Sequence, residues 1–141
     1  MIRFILGEKG TGKTKWLIDN ANEDIKSGNG NIAFVEFDDD HIYSLDYNAR
    51  LINATEFRLN TLDAFYGFLC GLMAMDYDLE KIYVDGLYKI MDLTVDDLKN
   101  LHKRLSALDL ENRALYINVD MVQSDIPEDL QDYVEEMKVD A

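Results

Sequence analysis

The chain contains little cysteine, little proline and no long apolar run. Its 141 residues include one cysteine, Cys70, and one proline, Pro127. A single cysteine allows no disulfide within the chain, and Cys70 lies in the apolar stretch 64–75, where we expect a small buried side chain. That stretch falls short of the ~20 residues that a membrane span needs, and segment 2–6 is too short for a secretory signal. We therefore expect a cytoplasmic protein that does not associate with membranes.

Positive charge is also scarce. The chain has 28 acidic and 14 basic residues, which give a formal net charge of −14. A surface of this kind repels polyanions, so we expect neither DNA nor RNA as a partner. The lysines between residues 9 and 15 are the local exception, and they indicate where an anion would bind.

The sequence does contain short apolar runs that alternate with helical stretches, which is typical of an α/β domain with a parallel sheet. Strands are predicted at 2–6, 31–37, 50–53 (the weakest), 81–84 and 114–119. Helices are predicted at 13–26, 61–75, 95–108 and roughly 127–137. Ser124 or Asp125 would cap the last helix, and the Gly67-x-x-x-Gly71 spacing predicts that the second helix approaches the sheet closely. We expect one domain over residues 1–141, a three-layer sandwich with a mostly parallel sheet of four to five strands.

A glycine-rich segment separates the first strand from the first helix. Residues 7–14 fit the pattern G-x-x-x-x-G-K-[ST] at every specified position, with a strand before them and a helix after them. Glycine lets successive N–H groups turn toward phosphate oxygens, and the positive end of the helix adds to that field. The residues expected to bind nucleotide phosphates are Gly7, Glu8, Lys9, Gly10, Thr11, Gly12, Lys13, Thr14 and Lys15. Lys13 would contact the β- and γ-phosphates, and the Thr14 hydroxyl would ligate Mg²⁺.

A second motif is the segment KIYVDGL, residues 81–87. Its apolar residues predict a buried strand that ends at Asp85, and ligands gather at the carboxyl ends of strands in open α/β sheets. A carboxylate at that place would hold the Mg²⁺ shell together with Thr14.

These two segments resemble the Walker A and Walker B motifs of the P-loop NTPase superfamily, and the chain looks more loosely like its RecA-like branch. The similarity extends over nearly the whole chain in the order of its elements, although only Walker A is specific. RecA-like cores have a second strand that ends in acidic residues and a histidine, and AFVEFDDDH, residues 33–41, is similar. They also have a sensor strand with a polar residue at its tip, to which ALYINVDM is similar through Asn118 or Asp120. The resemblance implies that this strand lies between the Walker A and Walker B strands.

The chain also departs from the pattern of that superfamily. In many relatives a glutamate directly follows the Walker B aspartate and polarises the attacking water, whereas this chain has Gly86. RecA-like relatives place the catalytic carboxylate at the end of the second strand, where Glu36 is the candidate, with Asp38, Asp39 and Asp40 as alternatives that more often form a turn. The isolated histidines His41 and His102 lack metal-ligand spacing, and we expect them to be surface or packing residues.

The sequence thus predicts a small protein that binds ATP and Mg²⁺ and hydrolyses ATP slowly, with Lys13, Asp85 and Glu36 as catalytic residues. It would act as a nucleotide switch or as a subunit of an assembly, in which a protein partner or a second copy completes the site. Two alternatives stay open. One is a phosphotransferase that acts on a small molecule, and the other is an interaction module that binds nucleotide without turnover.

Overall fold

A computed structural model describes residues 1–8, 10–28, 31–38 and 44–137. The strands are β1 (Ile2–Leu6), β2 (Asn31–Glu36), β3 (Arg50–Asn53), β4 (Leu79–Asp85), β5 (Ala114–Val119) and β6 (Val134–Glu136). The α-helices are α1 (Lys13–Lys26), α2 (Leu62–Met75) and α3 (Val95–Ser106). Short 3₁₀ helices cover Ala54–Phe57, Leu87–Lys89, Gln123–Asp125 and Glu128–Tyr133.

Within the described chain the strands form one parallel sheet of six, in the order β3-β2-β4-β5-β1-β6. The α/β class and the parallel sheet are confirmed, and the sheet has more strands than the four to five predicted. β5 pairs with both β1 and β4, which confirms the strand order that the resemblance implied. Because all strands run in the same direction, their carboxyl ends meet at one edge of the sheet.

Helices cover both faces of this sheet. On one face Leu17 and Ala21 of α1 pack against Ile5, Phe34 and Tyr83. The other face carries the larger core, in which α2 and α3 pack on strand residues that alternate with those of the first face. Within the described ranges, no helix has both the length and the apolar character that a membrane crossing requires.

The predicted helix over 127–137 is wrong. The segment forms the 3₁₀ helix Glu128–Tyr133 and then β6, which pairs with β1. A helix would set acidic residues four apart on one face, such as Glu128 with Asp132, and like charges at that spacing destabilise helices. Neither Ser124 nor Asp125 caps a long helix, because both belong to the separate turn Gln123–Asp125.

The predicted close approach of Gly67 and Gly71 to the sheet is also wrong. Both glycines are exposed, and a Cβ added at either position would meet no atom within 4 Å. The contact with the core is made instead by Phe65, Leu69 and Leu72, which lie on the opposite side of α2. The glycine pair therefore follows the solvent face of this helix.

Candidate functional site at the carboxyl edge of the sheet

Three buried polar side chains lie at the ends of adjacent strands. Glu36 and Asp85 end β2 and β4 and are paired in register, and each is 4% exposed. Asn118, near the end of β5, is 0% exposed. Their strand neighbours belong to the core under α2 and α3, so by alternation the three polar side chains lie on the face that α1 covers. Burial of three polar groups in one row costs folding free energy unless they are hydrogen-bonded, so we treat this edge as the candidate site.

The glycine-rich loop runs from β1 to the first turn of α1 directly beside this row. Gly12 adopts φ 90° at the N-terminal cap of α1, a conformation that residues with a side chain rarely adopt. The Lys13 side chain is 4% exposed, and its amine donates hydrogen bonds to the carbonyl oxygens of Gly7 and Glu8, the latter at 3.0 Å. Burial lowers the pKa of Lys13, while the negative charges of Asp120 and Asp85 act in the opposite direction. The amine is thus held inside the loop, with little access to water.

A chain of hydrogen bonds joins the loop to the strand ends. The Thr14 hydroxyl donates to Oδ1 of Asp85 at 2.9 Å, and the Asn118 amide donates to the same oxygen at 2.6 Å. The Asn118 side-chain oxygen in turn accepts from the backbone N–H of Gly86 at 2.9 Å. The orientation of Asp85 is therefore fixed from two sides, by α1 and by β5.

Other predicted residues lie at the margins of this arrangement. Glu8 is exposed, and its carbonyl oxygen accepts from the Thr11 hydroxyl at 2.7 Å, which closes the loop on itself. The Lys15 amine pairs with Asp19 at 2.6 Å on the solvent side of α1, with the Lys15 side chain 80% exposed. The Lys15 side chain therefore lies in solvent, away from the buried row at the strand ends.

The acidic segment after β2 is described in part. Asp38 forms an ion pair with Lys89, which follows β4. Asp39, Asp40, His41 and the loop residue Lys9 lie outside the described residues.

His102 lies away from the candidate site, on the face of the sheet that α3 covers. It is a packing residue as expected, because the centroid of its ring lies 4.0 Å from that of Tyr133.

Two residues near the site were not found from the sequence, Tyr88 and Lys89. The ring of Tyr88 has its centroid 5.2 Å from the Lys13 amine. Burial raises the pKa of Tyr88, so its hydroxyl stays protonated at neutral pH. The available signal was the Asp85-Gly86 pair, which is typical of a turn that folds the following residues back over a strand end.

The side chains at this edge offer few ligands for a metal ion. Within the described residues, no group of three or more His, Cys, Asp and Glu side chains could hold a metal ion by itself. A Mg²⁺ ion that arrives with a nucleotide needs fewer protein ligands, because it keeps several waters and takes phosphate oxygens. One hydroxyl and one carboxylate that already touch, Thr14 and Asp85, fit that requirement.

Comparison with known proteins does not assign this chain to a family. Neither a scan against protein-family models nor a search of curated proteins finds a match to this chain. A buried amine in a glycine-rich loop, a helix N-terminus and a fixed hydroxyl–carboxylate pair form a set suited to a phosphate chain and its divalent cation.

Proposed function

We propose that this protein is P-loop NTPase-like: it binds a nucleoside triphosphate, taken as ATP, with Mg²⁺ and hydrolyses it slowly. The observation that carries the proposal is the hydrogen bond between Thr14 and Asp85. A hydroxyl directly after the loop lysine and a carboxylate at the end of the second strand along from the loop strand meet at 2.9 Å. This is the pairing expected of two residues that share one Mg²⁺ shell.

The loop residues would bind the phosphates. The Lys13 amine donates to two carbonyl oxygens of its own loop, which are neutral acceptors. Phosphate oxygens are charged acceptors, and they replace such carbonyls favourably because charge-assisted hydrogen bonds are stronger. The first N–H groups of α1 have no partner within the helix and would add further donors.

Thr14 and Asp85 would hold Mg²⁺, which supplies neutralisation of charge on the β- and γ-phosphate oxygens. Asn118 supports this role by fixing the Asp85 carboxylate through its amide. Such indirect support orients a ligand and is typical of metal sites.

We propose slow hydrolysis because the set of groups that could activate the attacking water is incomplete. Gly86 offers no carboxylate beside Asp85. Glu36 is buried at the end of the adjacent strand, in register with Asp85, so it is the candidate for orienting water. A site with one such group is expected to turn over slowly until a partner contributes an arginine.

The proposal is tested by titrating the purified chain with ATP, ADP and GTP, with Mg²⁺ and with EDTA, and by recording the melting temperature in parallel. ATP with Mg²⁺ should raise the melting temperature, because a ligand that binds only the folded state stabilises it. Lys13→Ala should lose most of that rise, whereas Lys103→Ala, on the exposed side of α3, should keep it. Equal shifts for the wild type and Lys13→Ala would refute the proposal. Phosphate release without an added acceptor distinguishes hydrolysis from phosphotransfer.

A further inference from the structure

The turn after β4 brings a second lysine to the site. Gly86 adopts φ 88°, and the N–H of Lys89 donates to the Gly86 carbonyl at 2.9 Å. Leu87, which is 0% exposed, anchors this turn in the core. The chain therefore folds back at once, and Tyr88 and Lys89 stay beside the strand end.

The Lys89 side chain lies along this turn and crosses to β2. A Cβ added to Gly86 would lie 3.3 Å from Cδ of Lys89 and 3.7 Å from its Cε, so the lysine stem covers Gly86. Its amine pairs with the Asp38 carboxylate. The strand ends themselves are tied, because the N–H of Phe37 donates to the Asp85 carbonyl at 3.1 Å. Lys89 thus lies over the position directly after Asp85, and its amine reaches the end of β2.

The amine of Lys89 remains charged at neutral pH. Its hydrogen bond to Asp38 is the largest cause of its raised pKa, and the charge of Asp85 acts in the same direction. Two fixed lysines therefore approach the Asp85 end of β4 from different directions, Lys13 from the loop and Lys89 from the β2 side. An ion pair with a side chain as exposed as that of Lys89, 40%, contributes little to folding stability, so Lys89 can exchange this partner for a phosphate at a small cost in stability.

Resting on the nucleotide binding proposed above, we propose that Lys89 is a second phosphate-binding cation that senses the terminal phosphate. In the described structure it is bound to Asp38. With a triphosphate in the loop, its amine would move from the Asp38 carboxylate to the γ-phosphate, on the side that Lys13 does not cover. A diphosphate ends one group earlier, and Lys89 then stays with Asp38. Lys89 would thereby bind the γ-phosphate before the reaction, and the arginine that accelerates hydrolysis in other phosphoryl-transfer sites would still have to come from a partner.

The test compares affinities for a non-hydrolysable ATP analogue and for ADP, both with Mg²⁺, by calorimetric titration of the full chain. Lys89→Met should lose about tenfold to a hundredfold in affinity for the triphosphate, the usual loss for a hydrogen bond to a charged group. Its affinity for ADP should be unchanged. Lys89→Arg should retain the preference for triphosphate, and Lys103→Met serves as the control for loss of one positive charge.

Asp38→Asn tests the competition between Asp38 and the phosphate for the Lys89 amine, because this variant retains Lys89 and removes the negative charge of its partner. Because Asp38 competes with the phosphate for the amine, this variant should bind the triphosphate more tightly than the wild type, with ADP unaffected. Melting curves by circular dichroism establish that each variant is folded.

Each failure has a distinct pattern. If Lys89→Met binds both nucleotides like the wild type, or loses both equally, the terminal-phosphate role is overturned while nucleotide binding stands. If Asp38→Asn weakens triphosphate binding, the competition between carboxylate and phosphate is overturned. If the wild type binds neither nucleotide, the proposed function fails, and this inference fails with it.

Discussion

Thr14 and Asp85 are 71 positions apart in the chain, and their side chains share a hydrogen bond of 2.9 Å. The contact joins the first turn of α1 to the end of β4, across the intervening strand β5. Because Asn118 of β5 donates to the same Asp85 oxygen, the carboxylate has little freedom to rotate. Three elements, α1, β4 and β5, thus fix one potential metal ligand.

Asp85→Asn should weaken Mg²⁺-dependent binding of ATP more than binding without metal. The substitution keeps the shape and a carbonyl oxygen that accepts from Thr14, but it removes the negative charge that a hard cation prefers. We expect the gain in affinity on adding Mg²⁺ to fall by about tenfold to a hundredfold. Titrations with Mg²⁺ and with EDTA measure that gain, and an equal loss under both conditions would contradict a role for Asp85 toward the metal.

Much of this edge of the sheet could be predicted from the sequence because its signals are local. The boundaries of β1, α1, β3 and β5 agree with the predicted ranges, since the three strands are short and glycines lie on either side of α1. The strand β6 was missed because its partner β1 lies far away in sequence, and no local pattern reveals that an edge needs covering. Gly67 and Gly71 were misread because their spacing alone does not tell which side of a helix is buried.

In the candidate site, too, some residues have a local signal in the sequence and others do not. Asp85 was found because it directly follows an apolar run. The position of Lys89 depends on the left-handed conformation of Gly86 and on an ion pair to another strand, and neither is visible in the sequence. The hydrogen bond from Asn118 to Asp85 likewise depends on β5 lying beside β4 in the sheet.

Glu36→Gln should abolish most of the remaining hydrolysis and leave nucleotide binding nearly unchanged. Glu36 ends the strand next to Asp85 and is buried, so we expect it to act on the attacking water and not on the affinity of the loop for phosphate. Loss of a general base costs about 10²–10⁴-fold in rate. The wild-type rate itself should be low, roughly 10⁻⁴–10⁻² s⁻¹, as for GTPases without an activator. Single-turnover phosphate release measures both, and a wild-type rate above about 1 s⁻¹ would refute the incomplete-site argument.

The protein should show no appreciable affinity for DNA, either duplex or single-stranded, at physiological salt. The formal net charge of −14 opposes approach of a polyanion over most of the surface. Fluorescence anisotropy with labelled oligonucleotides tests this expectation. Binding at micromolar or lower concentration in about 150 mM salt would show that a basic surface outweighs the net charge.

Tyr83 should make stability depend on pH in the alkaline range. Its hydroxyl donates to Asp24, which also accepts from Lys81 at 2.7 Å, and burial followed by the bond to Asp24 strongly raises its pKa. The unfolded chain has the ordinary tyrosine pKa of about 10, so below that pH both states hold the proton and the contribution of the bond is complete. As the pH rises above about 10, only the unfolded state loses the proton, and stability falls.

Tyr83→Phe should therefore cost about 1.5–3 kcal/mol at neutral pH, the usual loss for a hydrogen bond to a charged group. Above about pH 10 the gap between the two proteins should narrow, because the wild type alone loses this contribution. Denaturant unfolding at neutral pH and at increasing alkaline pH measures the gap, and Tyr47→Phe, at a side chain 93% exposed, controls for titration of tyrosine in general. A gap that stays constant across the alkaline range would mean that the Tyr83 proton does not contribute to folding through Asp24.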